Sequence, residues 1–130
     1  MRRLGQSGFA TLEVILMVTV IGILAAVAVP RFEDVTARAN TARVQADLSS
    51  IDTAIALYEM NETTALSNGA AISVLAKYLT DAANIKPPVG KAYTGTSTID
   101  IGASDSYEIK DGRAVLKEKT AGEFYYKASE

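Results

Sequence analysis

The chain has 130 residues, a formal net charge of −2, no cysteine and no histidine. Those absences exclude a disulfide framework, thiolate or imidazole metal sites, and nucleophilic catalysis of the Cys–His or Ser–His–Asp type. The remaining carboxylates, hydroxyls and lysines form no constellation that suggests an enzyme, a metal or a cofactor, and no basic run offers a direct nucleic-acid site.

Arg2 and Arg3 precede an apolar stretch, residues 9–29, whose single charged residue is Glu13. About 21 residues make a helix of about 31 Å, enough to cross a bilayer core. Basic residues ahead of a span keep the N-terminus in the cytoplasm and send the rest outward. A carboxylate in hydrocarbon is costly unless neutralised, so Glu13 is a functional candidate. The same stretch also fits a secretory signal, with Ala26-Val27-Ala28 as a small-x-small cleavage site releasing a soluble extracytoplasmic domain. That alternative leaves Glu13 without a role.

Gly8 followed by Phe9, with Glu13 five positions beyond the glycine, resembles the class III leader of type IV pilins and pseudopilins. The usual family form is Phe-Thr-Leu-Ile-Glu; here it is Phe9-Ala10-Thr11-Leu12-Glu13, and Gln6-Ser7 stand where a basic residue is common. Residues 20–30 also follow the family closely. The resemblance covers residues 5 to about 60 and implies a leader, residues 1–8, removed after Gly8 by prepilin peptidase, which then N-methylates Phe9. It further implies that Glu13 neutralises the Phe9 amine of a neighbouring subunit in a homo-oligomeric helical filament. Other implied partners are the membrane, an inner-membrane assembly platform and an ATPase motor. Gly22 weakens a helix and Pro30 removes a backbone donor; in such families this stretch kinks or melts. Glycine and proline are also simply commoner in membrane helices than in soluble ones.

Beyond Pro30 the composition turns to mixed charge, and no glycine or proline interrupts residues 31–62. Val44, Leu48, Ile51, Ile55 and Tyr58 recur at 4-3-4-3 spacing, one apolar helical face. The expectation is a helix continuing from the span, its stripe covered by a small sheet and Arg31, Arg38 and Arg43 on a solvated face. Residues 61–69 read as a loop. Ile72, Leu75, Ala76 and Leu79 suggest a short amphipathic helix capped near Ser67 or Asn68, and residues 85–90 read as irregular.

Asp111-Gly112 between residues 107–110 and 113–116 is a strong two-residue hairpin signal, with Tyr107 facing Leu116 and Ile109 facing Ala114. Residues 98–101 suggest a third strand and residues 123–126 a fourth. Asp100, Asp105 and Asp111 lie among turns; some major pseudopilins bind calcium in a C-terminal loop, but this spacing fits turn chemistry better than six to eight converging oxygens. The expected fold is α+β and pilin-like. The segments are a leader (1–8), a transmembrane and filament-core helix (9–30), an amphipathic helix (31–62) and a globular head (63–130). The expected function is a filament subunit, an inner-membrane protein before assembly and extracytoplasmic or at the cell surface after it; the alternative is the major pseudopilin of a type II secretion or competence system.

Overall fold

The computed structural model describes residues 6–128, with the side chains at positions 6, 29 and 30 outside it. Arg2 and Arg3 lie outside the described residues. One helix, α1 (Gln6–Glu62), contains the whole predicted span and the whole predicted amphipathic segment. The chain divides into two units, one ending at Val35 and the other beginning at Thr36.

In the first unit α1 is a bare apolar helix: every described side chain is exposed except Ala28, which is half-buried. Its two threonines return their hydroxyls to the backbone, Thr11 Oγ1 to the Ser7 carbonyl at 3.0 Å and Thr19 Oγ1 to the Ile15 carbonyl at 2.8 Å. Such back-bonding satisfies a hydroxyl inside the helix and lets it enter an apolar medium. The backbone is helical through both Gly22 and Pro30. Because proline has no N–H, the Ala26 carbonyl lacks its helical donor, a local weakness built into the sequence.

In the second unit the stripe behaves as core. Val44, Leu48, Ile51 and Ile55 are buried, and Tyr58 is half-buried, edge-on to Tyr78 with ring centroids 6.2 Å apart. The buried face begins earlier than the apolar pattern does, at Ala37 and Thr41. The helix ends at Glu62, and Thr63 takes a left-handed conformation at φ 51°. The helix thus ends where the 31–62 bound puts it, and the loop begins at Thr63 rather than Asn61.

Four strands follow: β1 (Gly90–Thr94), β2 (Ser97–Ile101), β3 (Glu108–Lys110) and β4 (Arg113–Val115). They form two separate antiparallel hairpins, β1–β2 and β3–β4. Asp111 and Gly112 both have positive φ, 51° and 72°. This is the requirement of the tight turn that matches strand twist. Ile109 faces Ala114 as expected, but the ladder stops at Glu108 and Val115. Tyr107 and Leu116 are buried beyond it, and Leu116 instead exchanges both backbone hydrogen bonds with Lys119.

α1 caps the outward-pointing backbone groups of both hairpins. In a two-residue hairpin the closing pair is hydrogen-bonded and the next pair points its groups away from the partner strand. Those next pairs are Tyr93–Thr98 and Ile109–Ala114. The Tyr93 N–H donates to Thr41 Oγ1 at 2.7 Å, and the Ala114 N–H donates to Asp52 Oδ1 at 2.6 Å. Asn40 Nδ2 donates to the Lys91 carbonyl at 3.0 Å, and on the far side of β3 the Gly69 N–H donates to the Ile109 carbonyl at 2.8 Å. Two hairpins too small to stand alone thus become part of one core through a helix that completes their hydrogen bonding.

Three local expectations need correction. The short helix is a single 3₁₀ turn, Ile72–Leu75, followed by turns; Ala71 precedes it with no side-chain cap, and a helix this short does not propagate without one. Asn68, expected as that cap, instead bonds Asp111. The fourth strand is absent among the described residues. Thr120 and Glu123 form a reciprocal capping box that winds Ala121–Glu123 into a 3₁₀ turn, and Phe124 enters the core. Only a bridge between Gly95 and Tyr126 remains of the extended pairing there.

Candidate assembly site

Phe9, Leu12 and Leu16 are 74%, 66% and 64% exposed, and with Glu13 and Thr19 they share one side of the first unit's helix. Glu13 follows Phe9 by one helical turn, a rise of about 6 Å, and the two face the same way. Helical side chains lean toward the N-terminus, so the Glu13 carboxylate leans toward the Phe9 end. Glu13 has no hydrogen bond or ion pair among the described residues. With both threonines satisfied internally, it is the one charge in the apolar stretch without a partner.

Gly8 and Gly22 are not there for space. A Cβ at either would meet no atom within 4 Å. An exposed helical glycine costs about 1 kcal/mol relative to alanine. The Pro30 side chain lies outside the described residues. Among the described residues, α1 is the one helix long and apolar enough to cross a membrane, and none of its apolar window is buried.

The second unit's polar residues are occupied in structure. Tyr107 donates its hydroxyl to Asp47 at 2.7 Å; burial, and then that carboxylate, push the phenol well above its ordinary pKa. Arg43 lies 3.9 Å from the same carboxylate, one turn away on α1. Asp105 accepts the Gly102 N–H at 2.7 Å and pairs with Lys117 at 3.0 Å; the Gly102 N–H first, then Lys117, hold its carboxyl below the ordinary value. Asp111 sits in the hairpin turn. Asp105 and Asp111 therefore do turn work, and no three metal-ligating side chains converge among the described residues.

Comparison with known proteins finds similarity over part of the chain. The chain is 43% identical over 49 residues to a fimbrial protein of Pseudomonas aeruginosa, covering 38% of this chain and 32% of that one. It is 44% identical over 50 residues to the major component of the type IV narrow pilus of Thermus thermophilus, covering 38% and 43% of the respective chains. It is also 39% identical over 56 residues to the type IV major alpha-pilin of Moraxella bovis, covering 42% and 35%. Over the matched stretch, the chain is similar to type IV pilins and fimbrial proteins. The matched stretch amounts to 32–43% of these relatives' lengths. No family model and no solved structure matches.

The residues that sequence reasoning missed are the helix's capping groups. Thr41, Asp47 and Asp52 look like ordinary surface polar residues in the sequence, and Arg38 looks solvated. Arg38 instead lies over the Tyr126 ring, 3.9 Å from its centroid. The signal for Thr41 and Asp52 was available in the helical period: Ala37, Thr41, Val44 and Leu48 share a face, and Asp52 adjoins Ile51 at its edge.

Proposed function

We propose that the chain is the structural subunit of a type IV pilus-like filament. The observation that carries this reading is Glu13: a charge on an exposed apolar helix, unpaired among the described residues, with every other polar side chain there satisfied internally. The subunit inserts with its N-terminus in the cytoplasm. Prepilin peptidase cuts after Gly8 and methylates Phe9. The cut creates a positive amine at the positive end of the helix dipole, one turn from Glu13. Packed in a filament core, the Glu13 of one subunit meets the Phe9 amine of the next. Pairing makes both charges tolerable there, whereas one left unpaired in an apolar core is strongly destabilising.

In this reading the exposed leucines, valines and isoleucines of residues 9–29 face lipid first and the helices of neighbouring subunits later. Gly22 and Pro30 bound the segment that adjusts between the two environments. Extraction from the inner membrane is the work of an assembly platform and an ATPase motor, and the product is an extracytoplasmic, cell-surface filament. The subunit's own activity is assembly rather than catalysis. That the relatives are named as pilus and fimbrial proteins supports a pilus over a secretion pseudopilus.

Mass analysis of the mature N-terminus tests the processing: an N-methylated Phe9 is expected, and a start at Val29 would refute it. Glu13→Ala should leave insertion and cleavage intact and abolish or sharply reduce filaments. Normal filaments from that variant would sink the pairing role.

A further inference from the structure

We propose that the Asn68-Gly69 peptide is a spontaneous deamidation site that the folded β3–β4 hairpin holds shut, and whose modification would prise the hairpin's outer edge open. An asparagine followed by glycine is chemically prone to cyclise, because no side chain on the following residue obstructs attack. The Gly69 backbone nitrogen bonds to Asn68 Cγ and gives up its proton, and the Cγ–Nδ2 bond breaks as ammonia leaves. Water then opens the five-membered imide to aspartate or isoaspartate. Both residues are exposed, and no atom approaches the face of Gly69 where a Cβ would stand, so water has access.

The reacting groups are all engaged. Asn68 Nδ2 donates to Asp111 Oδ1 at 3.1 Å, Asn68 Oδ1 accepts the Asp111 N–H at 2.7 Å, and the Gly69 N–H donates to the Ile109 carbonyl at 2.8 Å. Attack requires the nucleophilic nitrogen to leave Ile109 and the amide to rotate away from Asp111. The reaction therefore waits on local opening. Closure after reaction is then blocked, because an aspartate at position 68 presents an acceptor-only carboxylate to the Asp111 carboxylate where an amide donor stood. Isoaspartate also adds a methylene to the main chain between the Asn68 and Gly69 positions, moving the Gly69 N–H off Ile109.

The test follows the intact chain in detergent micelles at mildly alkaline pH by peptide mass mapping. In urea, Asn68 should deamidate readily; under native conditions its rate should be lower by about tenfold or more, the protection expected of a modest local opening equilibrium. Equal rates in the two states, or no modification of Asn68 in urea, would overturn the proposal. On the native chain, the Gly69 amide should also be protected from hydrogen exchange; free exchange there would overturn it equally. Asn68→Asp should lower the unfolding midpoint at neutral pH, and an unchanged midpoint would remove the claimed consequence.

Discussion

Removing the Asp52 carboxylate should be the most damaging single polar change in the second unit. Ala114 is fully buried, and its N–H points away from β3, so Asp52 Oδ1 at 2.6 Å is the acceptor that satisfies it. A hydrogen bond to a charged group contributes about 1.5–3 kcal/mol, and a buried N–H left without an acceptor costs about as much. The second interaction of Asp52, with Arg113 at 3.3 Å, is largely exposed and adds less than about 1 kcal/mol. Asp52→Ala should therefore cost about 2–3 kcal/mol, and Arg113→Ala less than about 1 kcal/mol. For a unit of this size that difference is a midpoint shift of roughly 10 °C or more against a few degrees. Asp52→Asn, which retains a carbonyl acceptor, should fall between them. Urea titration of the three variants measures the ranking, and hydrogen exchange at the Ala114 amide reports the bond itself. If Asp52→Ala costs no more than Arg113→Ala, the helix does not hold the hairpin through this N–H, and the capping account of the fold fails.

Tyr107→Phe should cost about 1–2 kcal/mol near neutral pH by stranding part of the Asp47 carboxylate. It should also remove an alkaline dependence. The phenol's pKa is raised on folding, so its contribution is complete below the unfolded value of about 10 and is lost as pH climbs above it; alkaline titration of wild type against the variant checks this. Leu48→Ala, at a fully buried position, should cost about 2–5 kcal/mol, while Met60→Ala, 77% exposed, should stay within about 0.5 kcal/mol in the same denaturation assay. Lys117 and Glu118 occupy consecutive left-handed positions, φ 50° and 64°, in the tight turn closed by Leu116 and Lys119. Replacing the pair with Asn-Gly should raise the thermal midpoint despite the loss of two surface ion pairs, those to Asp105 and Lys110; a lower midpoint would show that the ion pairs outweigh the backbone strain.

What could be read from the sequence depended on how local the physics was. The α1 stripe and the Asp111-Gly112 turn are set by periods and dihedral preferences within a few residues, and both appear where expected. The β2 strand was visible for the same reason. Its partner β1 was not, because Lys91-Ala92-Tyr93-Thr94 is too short to show an alternation of its own and follows two prolines. It is held by Thr41 and Asn40, about fifty positions earlier in sequence. The 3₁₀ turn at Ala121–Glu123 hid behind an aromatic run, although Thr120 and Glu123 carried the capping-box signature. Glu13 stands out as a candidate in the sequence because a charge in an apolar run is a conflict that a sequence displays by itself.

The two parts of α1 differ in whether their polar side chains also reach across the chain. From Thr36 onward, the side chains facing the core bond across the chain, Thr41 and Asp52 to strand N–H groups, Asp47 to Tyr107 and Asn40 to a strand carbonyl, while Ser49, Ser50 and Thr53 on the outer face bond back to the helix. This segment's core-facing polar contacts close within the chain. Before Val35, the hydroxyls of Thr11 and Thr19 turn inward to their own helix, the apolar side chains face outward uncovered, and Glu13 waits without a counter-charge among the described residues. A bilayer would account for the apolar surface but not for the carboxylate, which hydrocarbon penalises. A neighbouring helix carrying an amine, as proposed above, would account for both. In the proposed reading the need for a second subunit rests on Glu13, and the Glu13→Ala variant tests it apart from every contact on which the second unit's stability depends.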